Sequence, residues 1–202
     1  MSHEKVLKIG ILIAVLMICG LGILLWYRFD RCMITQFQDT TGSQGMFYTI
    51  ENDGKLIVID GGNPGNAEFV SQVIEQFGGH VDARSHDLCN DGSMLFKVTH
   101  RKESMLFCSD VGISLSDLML AEYGEELKSE YLQMGHHGYG GLSDAFYTMV
   151  APKAAFFDAP EWLMHPSEEN SSLNTPEKIR LMESLGAEIF YYEGAPHRFQ
   201  LK

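Results

Sequence analysis

Hydrophobic and polar residues follow two different periods along residues 46–202, which predicts both strands and helices in this part of the chain. Two β-prone runs, at 46–50 and 55–59, flank Asp53-Gly54, a dipeptide typical of a tight hairpin turn. Apolar residues then recur at helical spacing from Phe69 to Phe77. The pattern therefore predicts a hairpin followed by a helix at the start of a domain.

The rest of the chain alternates short apolar runs with helical patterns. Strands are predicted at residues 93–99, 105–108, 130–134, 154–157, 188–192 and 198–201, and helices at 115–123, 143–150 and 175–185. Paired strands followed by alternating helices and strands are typical of sheets flanked by helices. We therefore expect an α/β layered domain at residues 46–202, with residues 28–45 as a linker that leads into it.

An uncharged apolar run begins at Ile9 and ends at Trp26. As a helix it would be roughly 27 Å long, close to the ~30 Å hydrocarbon core of a bilayer. The alternatives are a signal peptide, for which no small-x-small cleavage site follows, and a buried core helix, for which no similar partner helix exists. We expect residues 1–8 to be a short cytoplasmic tail and residues 9–27 a single-pass membrane anchor, with the domain extracytoplasmic.

Charge and cysteine content narrow the classes of function. The formal net charge is −12, so the surface is a poor electrostatic match for nucleic acid or anionic lipid. A bound metal could still reverse the local potential for a phosphodiester substrate. The four cysteines contain no Cys-x-x-Cys pair, which argues against a zinc ribbon or a thioredoxin-like motif. The sequence does not indicate an oligomeric state.

Three predicted strands end in residues that could carry chemistry. One ends in Asp60-Gly61-Gly62, the next in Asp110, and the third in Gly135-His136-His137-Gly138. Loops at strand ends bring polar side chains together on a rigid scaffold, and carboxylates and imidazoles bind divalent transition metals. Each segment also has a plain structural interpretation: Asp60 in a turn, Asp110 as a helix cap, and the histidines as surface residues.

Taken together and in this order, these segments resemble the metallo-β-lactamase fold superfamily, most closely the hydrolase domain of competence-type DNA-uptake proteins. The similarity covers residues 46–202, and its most specific parts are the His-His-Gly segment and a Pro-led helix that ends in Leu-Gly-Ala. The matching stretches are residues 57–62, 90–97, 106–110, 132–138 and 175–189. The resemblance implies an αββα layered fold and metal-assisted hydrolysis of an ester, amide or phosphodiester.

The resemblance also implies roles for individual residues. Asp110 matches the carboxylate that bridges two metals, and His136 matches a late histidine ligand, with His137 beside it. Asp60, followed by Gly61 and Gly62, matches an acid that supports the metal loop. The implied cofactor is a divalent metal, zinc or else manganese. The implied substrate is a small molecule or a phosphodiester, and nucleic acid is a partner by family alone. No catalytic residue is assigned.

The main metal motif of the family, His-x-His-x-Asp-His, is missing, since no His-x-His occurs in the sequence. The motif should follow a strand that begins at Val81, but the chain passes through residues 83–88 directly towards the next matching segment. We interpret this as an internal deletion, which would leave the domain incomplete and of low stability. Weak substitute ligands are available, although their spacing is not that of the family: His80, Asp82, His86 and His165.

Two hypotheses about function follow from these observations. The first is a membrane-anchored metal-dependent hydrolase of this superfamily. The second is a degenerate or truncated, non-catalytic member that acts as a binding protein or has no activity. A catalytic zinc usually needs three protein ligands and an open position, whereas the matching segments supply Asp110 and His136. The metal content of the purified protein would separate the two hypotheses.

Overall fold

The computed structural model describes residues 11–23, 31–37, 47–59, 67–77, 83–85, 95–168, 172–191 and 194–202. Residues 11–23 form helix α1, in which every residue is exposed. Across these described ranges, no helix is both long enough and apolar enough to cross a membrane. Residues 9, 10 and 24–27 of the predicted anchor lie outside the described residues.

The strands of the described ranges form two five-stranded sheets. Their bounds are β1 Cys32–Phe37, β2 Phe47–Asn52, β3 Lys55–Ile59, β4 Ala83–Ser85, β5 Phe96–His100, β6 Glu103–Phe107, β7 Tyr131–Gln133, β8 Ala154–Phe156, β9 Glu188–Phe190 and β10 His197–Leu201. Sheet A has the order β10-β1-β2-β3-β4, and sheet B has the order β5-β6-β7-β8-β9. Strands β6 to β9 are parallel to one another, so their carboxyl ends share one edge of sheet B.

Helices lie between β3 and β4, between β6 and β7, between β7 and β8, and between β8 and β9. Their bounds are α2 Ala67–Gln76, α3 Ser116–Tyr123, α4 Asp144–Val150, α5 Glu161–Met164 and α6 Thr175–Ser184, with 3-10 turns at Ile113–Leu115, Gly124–Leu127 and Gly135–Gly138. The predicted cap at Ser143 is confirmed, because its Oγ accepts a hydrogen bond from the Phe146 N–H at 3.3 Å. The helix at α5 was not expected from the sequence pattern.

Three hydrophobic cores formed by the described residues define the layers of the domain. One lies between the sheets and includes Tyr48 and Ile59 from sheet A with Phe107 and Phe156 from sheet B. A second packs α2 on the outer face of sheet A. A third, larger core packs α3, α4, α5 and α6 on the outer face of sheet B. The order is helix, sheet, sheet, helices, so the expected mixed α/β fold with two sheets is confirmed.

The hairpin predicted around Asp53-Gly54 is confirmed. β2 and β3 pair in antiparallel register from Asn52 opposite Lys55. Asp53 has φ 50° and Gly54 has φ 76°, the positive backbone angles that a tight two-residue hairpin turn requires. This turn fixes which residues of β3 face the core between the sheets.

The expectation that residues 28–45 form a linker is wrong for the central part, because Cys32–Phe37 forms β1, an interior strand of sheet A. The polar residues Thr35 and Gln36 concealed this strand, although both are buried. Gln36 tolerates burial because its amide donates hydrogen bonds to Tyr48 and Asp158. The sequence pattern alone does not reveal such partners.

Part of the segment interpreted as the deletion seam, residues 83–88, forms a strand. Ala83–Ser85 forms β4, which pairs in parallel with Ile57–Ile59 of β3. β4 stands last in the order of sheet A within the described residues. A deletion directly after β4 would therefore remove material next to the edge of the sheet, not from its interior.

Candidate functional site

The candidate residues follow neighbouring strands of sheet B at one edge. Asp110 follows β6, the His136-His137 pair follows β7, and Asp158 follows β8. These three strands are parallel and adjacent, so their carboxyl ends lie together. Loops at this edge of a parallel sheet are a common place for ligand binding. The His136 N–H donates to the Ser109 carbonyl oxygen at 2.8 Å, which joins the first two loops directly.

The loop that carries the two histidines is held in an unusual backbone conformation. His136 has φ 49° and His137 has φ 59°, both in the left-handed region that side chains rarely adopt. Gly138 follows with φ 88°, and a Cβ added there would lie 2.2 Å from Cδ1 of Phe157. The chain can make this turn only because residue 138 lacks a side chain. Strained backbone of this kind is often found at functional sites.

His137 is the histidine that lies against Asp110. Its Nε2 is 3.5 Å from Oδ1 of Asp110. The side chain of His137 is 20% exposed and that of Asp110 is 30% exposed, so solvent and a small ligand can reach both. The site therefore contains a carboxylate and an imidazole from two different strand ends, facing one another.

The other ring nitrogen of His137 fixes its tautomer. Nδ1 is 3.0 Å from the backbone carbonyl oxygen of Asp158, and a carbonyl oxygen can only accept a hydrogen bond. Nδ1 therefore carries the proton, and in the neutral imidazole the lone pair is on Nε2, facing the Asp110 carboxylate. Two electron-rich atoms at this distance repel each other unless a proton or a cation lies between them.

His136, the residue expected to be the ligand, has different surroundings. Its ring lies 4.8 Å from that of Tyr139 and 6.0 Å from that of His137, measured between centroids. Its backbone N–H donates to the carbonyl oxygen of Ser109, as described above. The described contact between a histidine and Asp110 is thus made by His137, which the resemblance had placed only beside the ligand.

Asp158 is a buried carboxylate that sequence reasoning did not assign to the site. It is 4% exposed and accepts hydrogen bonds from three side chains. Tyr48 Oη donates to Oδ1 at 2.5 Å, Gln36 Nε2 donates to Oδ1 at 2.6 Å, and Gln133 Nε2 donates to Oδ2 at 2.6 Å. The only sequence signal was an acid at the end of an apolar strand.

The environment of Asp158 shifts two pKa values. Burial raises the pKa of the Asp158 carboxyl, and the hydrogen bonds from Tyr48, Gln133 and Gln36 offset part of this rise. Burial and the charge of Asp158 together hold the pKa of Tyr48 well above its usual value, so its hydroxyl remains a donor. The carboxylate is thus stabilised mainly by these hydrogen bonds, with a smaller electrostatic contribution from His137.

Gln133 connects Asp158 to the loop of Asp110. Its amide nitrogen donates to Asp158, and its Oε1 accepts from the N–H groups of Cys108 and Ser109, each at 3.0 Å. The contacts close a ring that runs through Asp158, Gln133, Ser109, Asp110 and His137. This ring holds the two loops of the candidate site at a fixed separation.

The donor set at Asp110 and His137 suits a divalent cation, but it is incomplete. Two ligand atoms about 2.1 Å from a tetrahedral zinc lie roughly 3.4 Å apart, close to the observed separation of Nε2 and Oδ1. Among the residues that the structure describes, no three His, Cys, Asp or Glu side chains form a group that could hold a metal ion. A catalytic zinc usually has three protein ligands, so these two residues form only part of such a site.

The other candidates do not add to this pair. Asp60, Gly61, Gly62, His80, Asp82 and His86 lie outside the described residues. His165 lies at the end of α5, where its Nε2 is 3.9 Å from Oε1 of Glu161 and its ring contacts Tyr191. Asn174 instead supports the histidine loop, since its Oδ1 accepts from the Gly140 N–H at 2.9 Å.

Comparisons with known proteins give little further information. No protein-family model matches the sequence, and no curated protein matches it. Among solved structures, the chain is similar to the metallo-beta-lactamase fold protein YhfI from Bacillus subtilis, with 9% sequence identity and a TM-score of 0.46. The match covers 85% of this chain and 100% of that chain. A similarity this small does not establish a family or an activity.

Proposed function

We propose that this chain is a membrane-anchored protein of the metallo-β-lactamase fold superfamily whose hydrolase centre is reduced to a two-ligand cation site. Asp110 and His137 form this site, which binds a divalent cation, zinc or manganese, weakly. Turnover of an ester, amide or phosphodiester does not reach that of a complete metallo-hydrolase. The observation that carries the proposal is the 3.5 Å contact between His137 Nε2 and Asp110 Oδ1.

The sequence and the site both support kinship with this superfamily. The order of the Asp-Gly-Gly, Asp110 and His-His-Gly segments agrees with that of the superfamily, as does the arrangement of two sheets between helices. A metal bound at this place would supply an activated water and polarise the scissile group. With two protein ligands, the ion is held less tightly and its position is less fixed than three ligands would achieve.

The membrane anchor is part of the same proposal. Residues 9–26 contain no charged residue, and every residue of the described helix at 11–23 is exposed. A helix that is apolar on all faces and exposed at each of its described residues is best accommodated in lipid. The domain would then lie on the extracytoplasmic side.

A second candidate, an active metallo-hydrolase, is favoured by the register of sheet A. Tyr48 pairs with Ile59, and Ile59 pairs with Ser85. Because the Tyr48 hydroxyl reaches Asp158, these paired residues lie at the same end of the sandwich as the candidate site. The residues that follow Ile59 and Ser85 in the sequence are Asp60 and His86, both of ligand type.

Metal content and turnover, measured on the full chain in detergent micelles, test the proposal. The protein would be dialysed against Zn²⁺ or Mn²⁺ and assayed with bis(4-nitrophenyl) phosphate and 4-nitrophenyl acetate. We expect reversible binding of less than one tightly held equivalent of metal, because the part of the chain that the structure describes supplies two ligands to this site. The turnover should equal that of Asp110→Asn, which removes one of the ligands.

Two tightly held equivalents of metal, with turnover that disappears in Asp110→Asn, would overturn the proposal in favour of the active hydrolase. In that case Asp60→Asn and His86→Asn should each reduce both metal content and turnover. Asp117→Asn serves as the matched control, because Asp117 is exposed on α3 and the substitution removes a carboxylate away from the site.

A further inference from the structure

The hydrogen bonds around Asp158 have a direction that is set by chemistry. The amide of Gln133 turns its NH₂ group towards Asp158, whose Oδ2 accepts at 2.6 Å. The oxygen of the same amide then points to the other side, where it accepts from the Cys108 and Ser109 N–H groups. Backbone N–H donors on one side and an acceptor carboxyl group on the other therefore require the same orientation of Gln133.

The same residue also controls His137 through its backbone. The carbonyl oxygen of Asp158 holds the Nδ1 proton of His137, which leaves Nε2 as the nitrogen that faces Asp110. The side chain of Asp158 is fixed by Gln36 and Tyr48 from sheet A, so the position of this carbonyl oxygen depends on contacts between the two sheets. Both halves of the candidate site, the Asp110 loop and the His137 ring, are thus attached to one buried residue.

We propose that Asp158 is the positioning residue of the Asp110–His137 site: through Gln133 and through its own carbonyl oxygen it holds the carboxylate and the imidazole at the separation that a shared cation requires. The part that concerns cation binding rests on the function proposed above. The part that concerns the orientation of Gln133 and the tautomer of His137 stands on the described contacts alone. Side chains that orient ligands in this way commonly alter metal affinity about 10- to 100-fold when they are changed.

A pair of complementary substitutions tests this proposal. In Asp158→Asn the new amide can still accept from Tyr48 and Gln36, but its NH₂ group faces the NH₂ group of Gln133. If Gln133 turns away, the Cys108 and Ser109 N–H groups lose their acceptor. If residue 158 turns away, its backbone shifts with it, and so does the carbonyl oxygen that binds the His137 ring. In Gln133→Glu a second carboxylate faces that of Asp158. It stands where, in the wild type, the Gln133 amide donates to Asp158 at 2.6 Å.

The double variant Asp158→Asn/Gln133→Glu restores every donor and acceptor. The carboxylate at residue 133 accepts from Cys108, Ser109 and the new amide at residue 158, while that amide accepts from Tyr48 and Gln36 with its oxygen. The two single variants lose the arrangement and the double variant regains it, with no change in net charge between wild type and double variant. A role in general packing gives no reason for such a rescue.

The first measurement is the ¹⁵N chemical shifts of the His137 ring in the metal-free full chain in micelles, assigned by comparison with His137→Asn. We expect the Nδ1–H tautomer in wild type and in the double variant, and a mixture with Nε2–H in each single variant. The second measurement is Mn²⁺ affinity, which should fall about 10- to 100-fold in each single variant and recover in the double variant.

The outcomes separate this proposal from the proposed function. If wild type binds no Mn²⁺ but the ring shifts follow the expected pattern, the two-ligand cation site is wrong and the positioning role of Asp158 stands. If the single variants keep the Nδ1–H tautomer, or if the double variant shows the sum of the single losses, the positioning role is overturned. Asp117→Asn, an exposed change of the same type, should leave both measurements as in wild type.

Discussion

At the scale of single residues, the candidate site depends on positions that tolerate left-handed backbone. His136 and His137 both have positive φ, and Gly138 completes the turn against the ring of Phe157. This conformation directs the second histidine towards Asp110. The sequence places the two histidines side by side and offers no sign of which one turns to the carboxylate, because the choice depends on the backbone angles of the loop.

Gly138→Ala should destabilise the domain by about 2 to 4 kcal/mol. The left-handed backbone costs a residue with a Cβ about 1 to 3 kcal/mol, and the contact with Phe157 adds strain of similar size. Urea unfolding followed by tryptophan fluorescence would measure the change. Gly186→Ala is the matched control, because Gly186 has φ 82° and no atom within 4 Å of the added Cβ. Equal losses in the two variants would contradict the role of the close contact with Phe157.

At the scale of elements, one carboxylate joins the last strand of sheet A to sheet B. Glu103, the first residue of β6, accepts from the Lys153 ammonium and from the backbone N–H of Lys202, each at 2.8 Å. Burial of this carboxyl acts to raise its pKa, but the hydrogen bonds from Lys153 and Lys202 outweigh burial and the pKa is lowered. The end of β10 is therefore held by an interaction that requires an ionised carboxylate.

Glu103→Gln should lower stability at neutral pH and reduce the acid sensitivity of unfolding. A carboxyl with a lowered pKa stabilises the folded state above its unfolded pKa of about 4.3, and this contribution disappears as pH falls through the folded value. Urea unfolding at a series of pH values between neutral and acidic would show a shallower dependence in the variant. If Glu103→Gln and the exposed control Glu122→Gln both gave the pH profile of the wild type, the contacts of Glu103 with Lys153 and Lys202 would not contribute to stability.

The sequence predicted most elements but fewer of the contacts that form the site. The Asp53-Gly54 turn and the Ser143 cap have local signals, since their chemistry depends on neighbouring residues in the chain. β1 has no such signal, because buried Gln36 finds its partners Tyr48 and Asp158 only in the folded molecule. Asp158 was missed for the same reason: its three side-chain donors come from three different strands.

At the scale of the whole molecule, the two-sheet sandwich explains why the candidate site is held rigidly. Sheet A holds Asp158 through Gln36 and Tyr48, and sheet B carries Asp110 and His137 at its carboxyl edge. The deletion interpreted at residues 83–88 falls next to β4, at the end of sheet A. A loss at a sheet edge is less disruptive than the loss of an interior strand. The low stability expected from the sequence stays a prediction.

The central claim is the proposal that the cation site is formed by Asp110 and by His137, the histidine whose ring faces it. Isothermal titration of the full chain with Zn²⁺ tests it most directly, with His136→Asn and His137→Asn as a matched pair, because asparagine accepts the left-handed backbone of both positions. We expect His137→Asn and Asp110→Asn to weaken binding by about 10-fold or more, whereas His136→Asn should bind as wild type does. Loss of binding in His136→Asn together with unchanged binding in His137→Asn would contradict the account.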